Sequence, residues 1–154
     1  DKVIETTGSR TRVNIVGAIR LGYLEDTLTQ QYEKTVNGDA IIDFFTHIKE
    51  KYKDKNVINL VLDGAGYHRK KEVVDKAKEL GIALHYLPSY SPNLNPIERL
   101  WKVMNEHARN NKYFSTAREF RRSLNYFFDS TLPTIGASLS SRINDNFQKL
   151  YPAT

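Results

Sequence analysis

The run Val57-Ile-Asn-Leu-Val-Leu62 leads directly into Asp63. It is short, β-branched and apolar, with Lys55-Asn56 before it and Asp63-Gly64 after it, so it reads as a buried strand. Gly64 and Gly66 then open a loop, which leaves Asp63 where the strand runs out. In open α/β sheets, ligands collect at the carboxyl ends of strands, where a carboxylate can point into a cleft. A turn aspartate before glycine is the plainer reading of the same residue.

A second acidic residue stands in a different setting. Asn95 suits a helix N-cap and Pro96 the first helical position. Ile97, Leu100, Trp101, Met104 and Ala108 then recur at helical spacing and make one apolar face. Glu98 lies beside that face in the first turn. Asn95 and Glu98 are spaced as N-cap and N3, so Glu98 either completes a capping box or is held out for chemistry. Between Asp63 and Glu98 lie 34 residues, enough for one amphipathic helix, one strand and a proline-rich loop.

The rest of the chain fits an alternation of strands and helices. Val13 to Leu21 is an apolar β-rich run broken by Gly22, and Tyr23 to Val36 reads as a second, more solvated strand, giving an antiparallel hairpin. Asn37-Gly-Asp39 stops it and starts a helix striped by Ile41, Phe44, Phe45, Ile48 and Tyr52. After the strand ending at Asp63, Val73, Val74, Ala77 and Leu80 mark a helix that Gly81 ends, and Ile82 to Leu87 is a further strand. The order β-β-α-β-α-β-α-α implies parallel pairing in an α/β layer structure. Thr116 and Glu119 repeat the capping-box spacing before a stripe of Phe120, Leu124, Phe127 and Phe128. From Ile135 to Leu150 the periodicity weakens, as in a loose helix pair or a docking tail.

The segments Asp63-Gly-Ala-Gly-Tyr-His68, Leu87-Pro-Ser-Tyr-Ser-Pro-Asn-Leu-Asn-Pro-Ile-Glu98 and Trp101-Lys102 resemble the catalytic core of mariner-type DDE transposases, in the bacterial insertion-sequence branch. The resemblance runs from about Arg10 to Lys112. It implies a ribonuclease-H-like α/β fold, a mixed sheet flanked by helices, with a catalytic core over residues 1–114 and a helical extension of the same domain over 115–154. It implies that Asp63 and Glu98 are the second and third catalytic acids and ligate two divalent ions, Mg2+ or Mn2+. It also implies DNA cutting by water, then joining by a freed 3′-hydroxyl, in a homodimer holding transposon ends and target DNA. The family's first aspartate lies on the first strand, upstream of the part that Arg12 to Ile19 resembles. Asp1 precedes the second strand and is not assigned as a ligand, so the expectation is a core apparently lacking its first strand, with two acids of three. A catalytically inactive remnant that binds DNA or assembles with a partner is the alternative.

Further residues invite a DNA-binding role: His68, Arg69, Lys70 and Lys71 as a phosphate patch, and Asn93, Asn95 and Lys102 along the loop and helix. Solvated helix start, turn and cap are their plainer readings. Trp101 offers either base stacking or core packing, and its place on the apolar stripe favours the core. A net charge of +5 and a pI near 9.3 favour a polyanionic partner. The absence of cysteine excludes disulfides and thiolate metal sites. No apolar run approaches ~20 residues, so no membrane span is expected and the cytoplasm is the expected compartment.

Overall fold

The computed structural model describes residues 2–5, 12–88, 94–110, 112–139 and 141–143. Strands β1 (Lys2–Glu5), β2 (Arg12–Ala18) and β3 (Leu28–Tyr32) form an antiparallel sheet in the order β1-β2-β3. Helix α1 (Gly38–Lys51) follows, then β4 (Ile58–Leu62), α2 (Lys71–Glu79) and β5 (Ile82–Tyr86). β4 and β5 pair in parallel, from Ile58 opposite Ile82 to Leu62 opposite Tyr86. Helices α3 (Ile97–Ala108), α4 (Ala117–Tyr126) and α5 (Leu132–Ile135) follow, and a 3₁₀ turn, Gly136–Leu139, continues from α5.

The hairpin, the parallel pair and the helices agree with the order read from the sequence. β1 is an addition to it. Lys-Val-Ile-Glu carries only two apolar residues, and its strand state comes from pairing with β2, from Lys2 opposite Ile15 to Glu5 opposite Arg12, rather than from a local pattern. β3 is also shorter than expected. Leu24–Asp26 is a 3₁₀ turn, and only Leu28–Tyr32 pairs with β2.

Two hydrophobic clusters lie on opposite faces of β2, because successive strand residues point to opposite sides. Val16 joins Ile41, Phe44, Phe45 and Ile48 of α1 with Val73, Ala77 and Ile82. Ile15 joins Leu100, Trp101, Val103 and Met104 of α3 with Phe120, Leu124, Phe127 and Leu132. Each large apolar side chain buried this way stabilises the fold by about 1.5–3 kcal/mol. The second cluster runs through a π-helical turn, Phe127–Thr131, where the Leu132 N–H reaches back five residues to the Phe127 carbonyl. Pro133 has no N–H to give to the ordinary acceptor, and the widened turn just before it lets the helix continue.

α1 starts where the sequence places it: Asn37 Oδ1 accepts from the Ala40 N–H at 3.1 Å. α2 ends at Gly81, whose φ of 73° is left-handed, and a Cβ there would sit 2.7 Å from the Asn56 carbonyl oxygen. Gly81→Ala meets both the backbone strain and the clash. It is expected to lower stability by about 1–3 kcal/mol, read as the shift in urea midpoint. An unchanged midpoint would show that the Asn56–Gly81 contact is loose.

Candidate active site

Asp63 follows the last residue of β4. Its Oδ1 accepts from the Ala65 N–H at 3.0 Å, an aspartate turn that bends the chain away from the strand. The same oxygen lies 3.0 Å from His68 Nδ1, and the Asp63 carbonyl lies 3.3 Å from that nitrogen. The Asp63 side chain stays 45% exposed while that of His68 is 6% exposed. His68 is therefore no part of a solvent-facing phosphate patch. The 3₁₀ turn Gly66–Arg69 rolls its ring inward beneath Asp63, with the Tyr67 ring edge-on at 4.6 Å. Burial pushes the imidazole below the ordinary histidine range, against the Asp63 carboxylate, which pulls it up.

Arg69, Lys70 and Lys71 are exposed. The Arg69 guanidinium lies over the Tyr86 ring, 4.3 Å from its centroid, and its tip passes close to Gly64. Tyr86 is the residue that sequence reasoning missed. Its hydroxyl donates to the His68 carbonyl at 2.9 Å, and its ring carries Arg69, so it ties the end of β5 to the loop that bears Asp63. The signal was available: in a parallel pair, the last residue of β5 lies beside the last residue of β4, next to Asp63.

Glu98 opens α3 and is exposed. Asn95 Oδ1 accepts from the Ile97 N–H at 3.2 Å, and the Glu98 N–H donates to the Asn95 carbonyl at 3.1 Å. The Glu98 carboxylate makes no hydrogen bond or ion pair among the described residues, not even to Lys102, which is exposed one turn further on. The contrast with Glu119 is informative. That residue has the same spacing from Thr116, and its Oε2 does reach back, accepting from the Ser115 N–H at 3.1 Å and the Ser115 hydroxyl at 2.7 Å. These bonds hold the Glu119 carboxyl below its usual range. One box closes and the other does not. Trp101 has 0% exposure and packs in the core, so it does not present a face to a base. Asn93 lies outside the described residues.

Asp63 and the Asn95-Pro96-Ile97 turn line one cavity of about 470 Å3. Its walls include Val16 to Leu21, along and beyond β2, and Val57 to Leu62, along β4. No described strand joins those two edges, so the strands form two sheets around the cavity rather than one. Among the described residues, no group of three or more His, Cys, Asp or Glu is placed to hold a metal. Asp63 and Glu98 are hard oxygen donors of the type that magnesium and manganese select, but as a pair they leave a two-ion site short of ligands.

The chain is similar to several known proteins. It is 24% identical over 136 residues to an insertion element IS630 uncharacterized 39 kDa protein of Shigella sonnei, which covers 88% of this chain. The chain spans only 39% of that relative's length. Its fold matches the crystal structure of the catalytic domain of Mos1 mariner transposase with a TM-score of 0.71 at 16% identity, over 92% of this chain and 73% of the other. The Mos1 catalytic domain bound to raltegravir and Mg matches with a TM-score of 0.65 at 16% identity, over 96% of this chain and 82% of the other. These likenesses agree with the ribonuclease-H-like α/β class expected from the sequence. The family model for DDE superfamily endonucleases matches residues 1–121, and the chain belongs to that family.

Proposed function

We propose that this chain is the metal-binding part of a transposase catalytic domain that cuts and joins DNA phosphodiesters, with Asp63 and Glu98 as two of its acidic ligands. The observation that carries the reading is the pair of uncommitted carboxylate oxygens. Asp63 gives one oxygen to the loop and keeps Oδ2 without a protein partner among the described residues. Glu98 has the capping-box spacing but leaves its box open. The cavity shared by Asp63 and the turn before Glu98 supports their convergence across the intervening residues.

Mg2+ or Mn2+ bound there would activate water or a 3′-hydroxyl and stabilise the leaving oxygen at phosphorus. The chain's own residues hold and orient. Asp63 offers Oδ2 from the end of a strand, Glu98 offers its carboxylate from a helix start, and Arg69 is held on Tyr86 beside the loop for a phosphate oxygen. An extended segment between β4 and residues 16–18 of β2, which β1 does not reach, would join the two sheets and place a third acid beside Asp63. The substrates in this reading are transposon ends and target DNA, handled by a homodimer in the cytoplasm. No helix among the described residues is long and apolar enough to cross a membrane, which is compatible with that setting.

By itself the chain is expected to bind DNA weakly and without sequence preference. Arg69, Lys70 and Lys71 supply phosphate contacts, so affinity falls steeply as salt rises from 50 to 200 mM. Replacing the three together with alanine is expected to flatten the dependence of log affinity on log salt by about two to three units. Fluorescence anisotropy on a labelled duplex measures both. An affinity indifferent to salt would remove the electrostatic account.

A further inference from the structure

We propose that His68 is a positioning residue that pins Oδ1 of Asp63 and so leaves Oδ2 as the single oxygen offered to a divalent cation. This deepens the proposed metal site and rests on it. A carbonyl and a carboxylate only accept hydrogen bonds, so a proton stands on His68 Nδ1, which donates to the Asp63 carbonyl at 3.3 Å and lies 3.0 Å from Oδ1. Oδ1 thus accepts from the Ala65 N–H at 3.0 Å and has the imidazole nitrogen beside it at 3.0 Å. One hydrogen bond and one close imidazole contact on the same oxygen restrain the rotation of the carboxylate about its Cβ–Cγ bond. The other oxygen has no bonding partner among the described residues, on a side chain that remains 45% exposed.

The imidazole is itself held. It is 5% exposed, the Tyr67 ring stands edge-on against it, and the Tyr86 hydroxyl bonds its backbone carbonyl. A buried histidine on a fixed backbone therefore aims a carboxylate at the end of β4. Partners that orient a ligand in this way are worth roughly 10–100-fold in metal affinity. Asp63 ligates through one oxygen only, which shortens the reach of the site to whatever lies on the Oδ2 side, the side from which Glu98 must approach.

The test is Mn2+ titration of the chain, followed by paramagnetic broadening of amide signals in 15N–1H NMR spectra, a readout that registers weak binding and needs no turnover. In the wild type, the amides of Gly64 and Ala65 broaden first. His68→Leu, which keeps a buried apolar group but loses the donor, is expected to need about tenfold more Mn2+ for equal broadening. His68→Asn, whose amide can donate from near the place of Nδ1, is expected to stay close to wild type. His68→Leu broadening at wild-type Mn2+, with its other signals in place, would overturn the proposal. So would a folded His68→Asn that is as weak as His68→Leu. Asp63→Asn separates the levels: broadening at Gly64 and Ala65 is expected to vanish. If it persisted, the metal site would fall and this inference with it. If it vanished while His68→Leu bound normally, only the role of His68 would fall.

Discussion

Glu98→Gln is expected to abolish DNA cleavage in a protein extended by an aspartate-bearing strand upstream of Lys2, while leaving its stability unchanged. The present chain alone is expected neither to cut nor to join DNA, even with Mn2+, because two carboxylates cannot bridge two ions and also hold each singly. In the proposed reading, such a strand supplies a further oxygen ligand beside the end of β4. The metal stabilises the transition state by several kcal/mol. At about 1.4 kcal/mol per tenfold, loss of one ligand lowers the rate by about a thousandfold or more. Folding is insulated from the change. Glu98 is exposed, and its carboxylate makes no described bond, so Gln costs less than about 0.5 kcal/mol. Plasmid nicking with Mn2+ and thermal unfolding of the same preparation separate the two effects. Nicking at the unsubstituted rate would return Glu98 to a capping role and remove it from the site.

Trp101→Ala is expected to be the most damaging single change to the fold, at about 3–5 kcal/mol. The indole is fully buried at the centre of the cluster on the α3 face of β2, edge-on to Phe128 with centroids 6.2 Å apart. It also closes on the strand backbone, since a Cβ added at Gly17 would lie 2.8 Å from Trp101 Cη2. The strand can carry only hydrogen there. Gly17→Ala is therefore expected to cost about 1–3 kcal/mol through overpacking. In a double-mutant cycle, Trp101→Phe should relieve part of that cost, because the smaller ring vacates the clashing position. Strict additivity of the two changes in urea unfolding would show that the indole does not press on Gly17.

Much of this was legible in the residues. The run into Asp63 and the stripe from Ile97 to Ala108 carry strong local periodicity, and the structure realises both as β4 and α3. Glu119 shows that capping-box spacing can be read correctly. Glu98 shows its limit: the same spacing is satisfied at Thr116 and Glu119 and not at Asn95 and Glu98, because α3 takes Pro96 as its N-cap and Glu98 falls one position short of the box. β1 was hidden for a related reason, since a four-residue strand exists by virtue of its partner. His68 was read outward, as part of a basic run with Arg69, Lys70 and Lys71. Its direction is set by the 3₁₀ turn and by Tyr86, which arrives from 18 residues further along the chain. Composition along a run cannot tell which of four cationic-looking neighbours turns inward.

The open margin of β4, and that of β2 over residues 16–18 beyond its pairing with β1, have a practical consequence for the behaviour of the protein in solution. Backbone N–H and C=O groups along an unpaired strand margin invite any extended peptide to add to the sheet. β4 displays Val61 at 56% exposure, with Val57 just before it at 62%, and neither is a charged residue of the sort that usually discourages such addition. The same margins that would receive a completing strand can receive a strand from another molecule. Solubility and self-association of the chain are thus coupled to occupancy of the gap: filling it with a strand removes the template for aggregation.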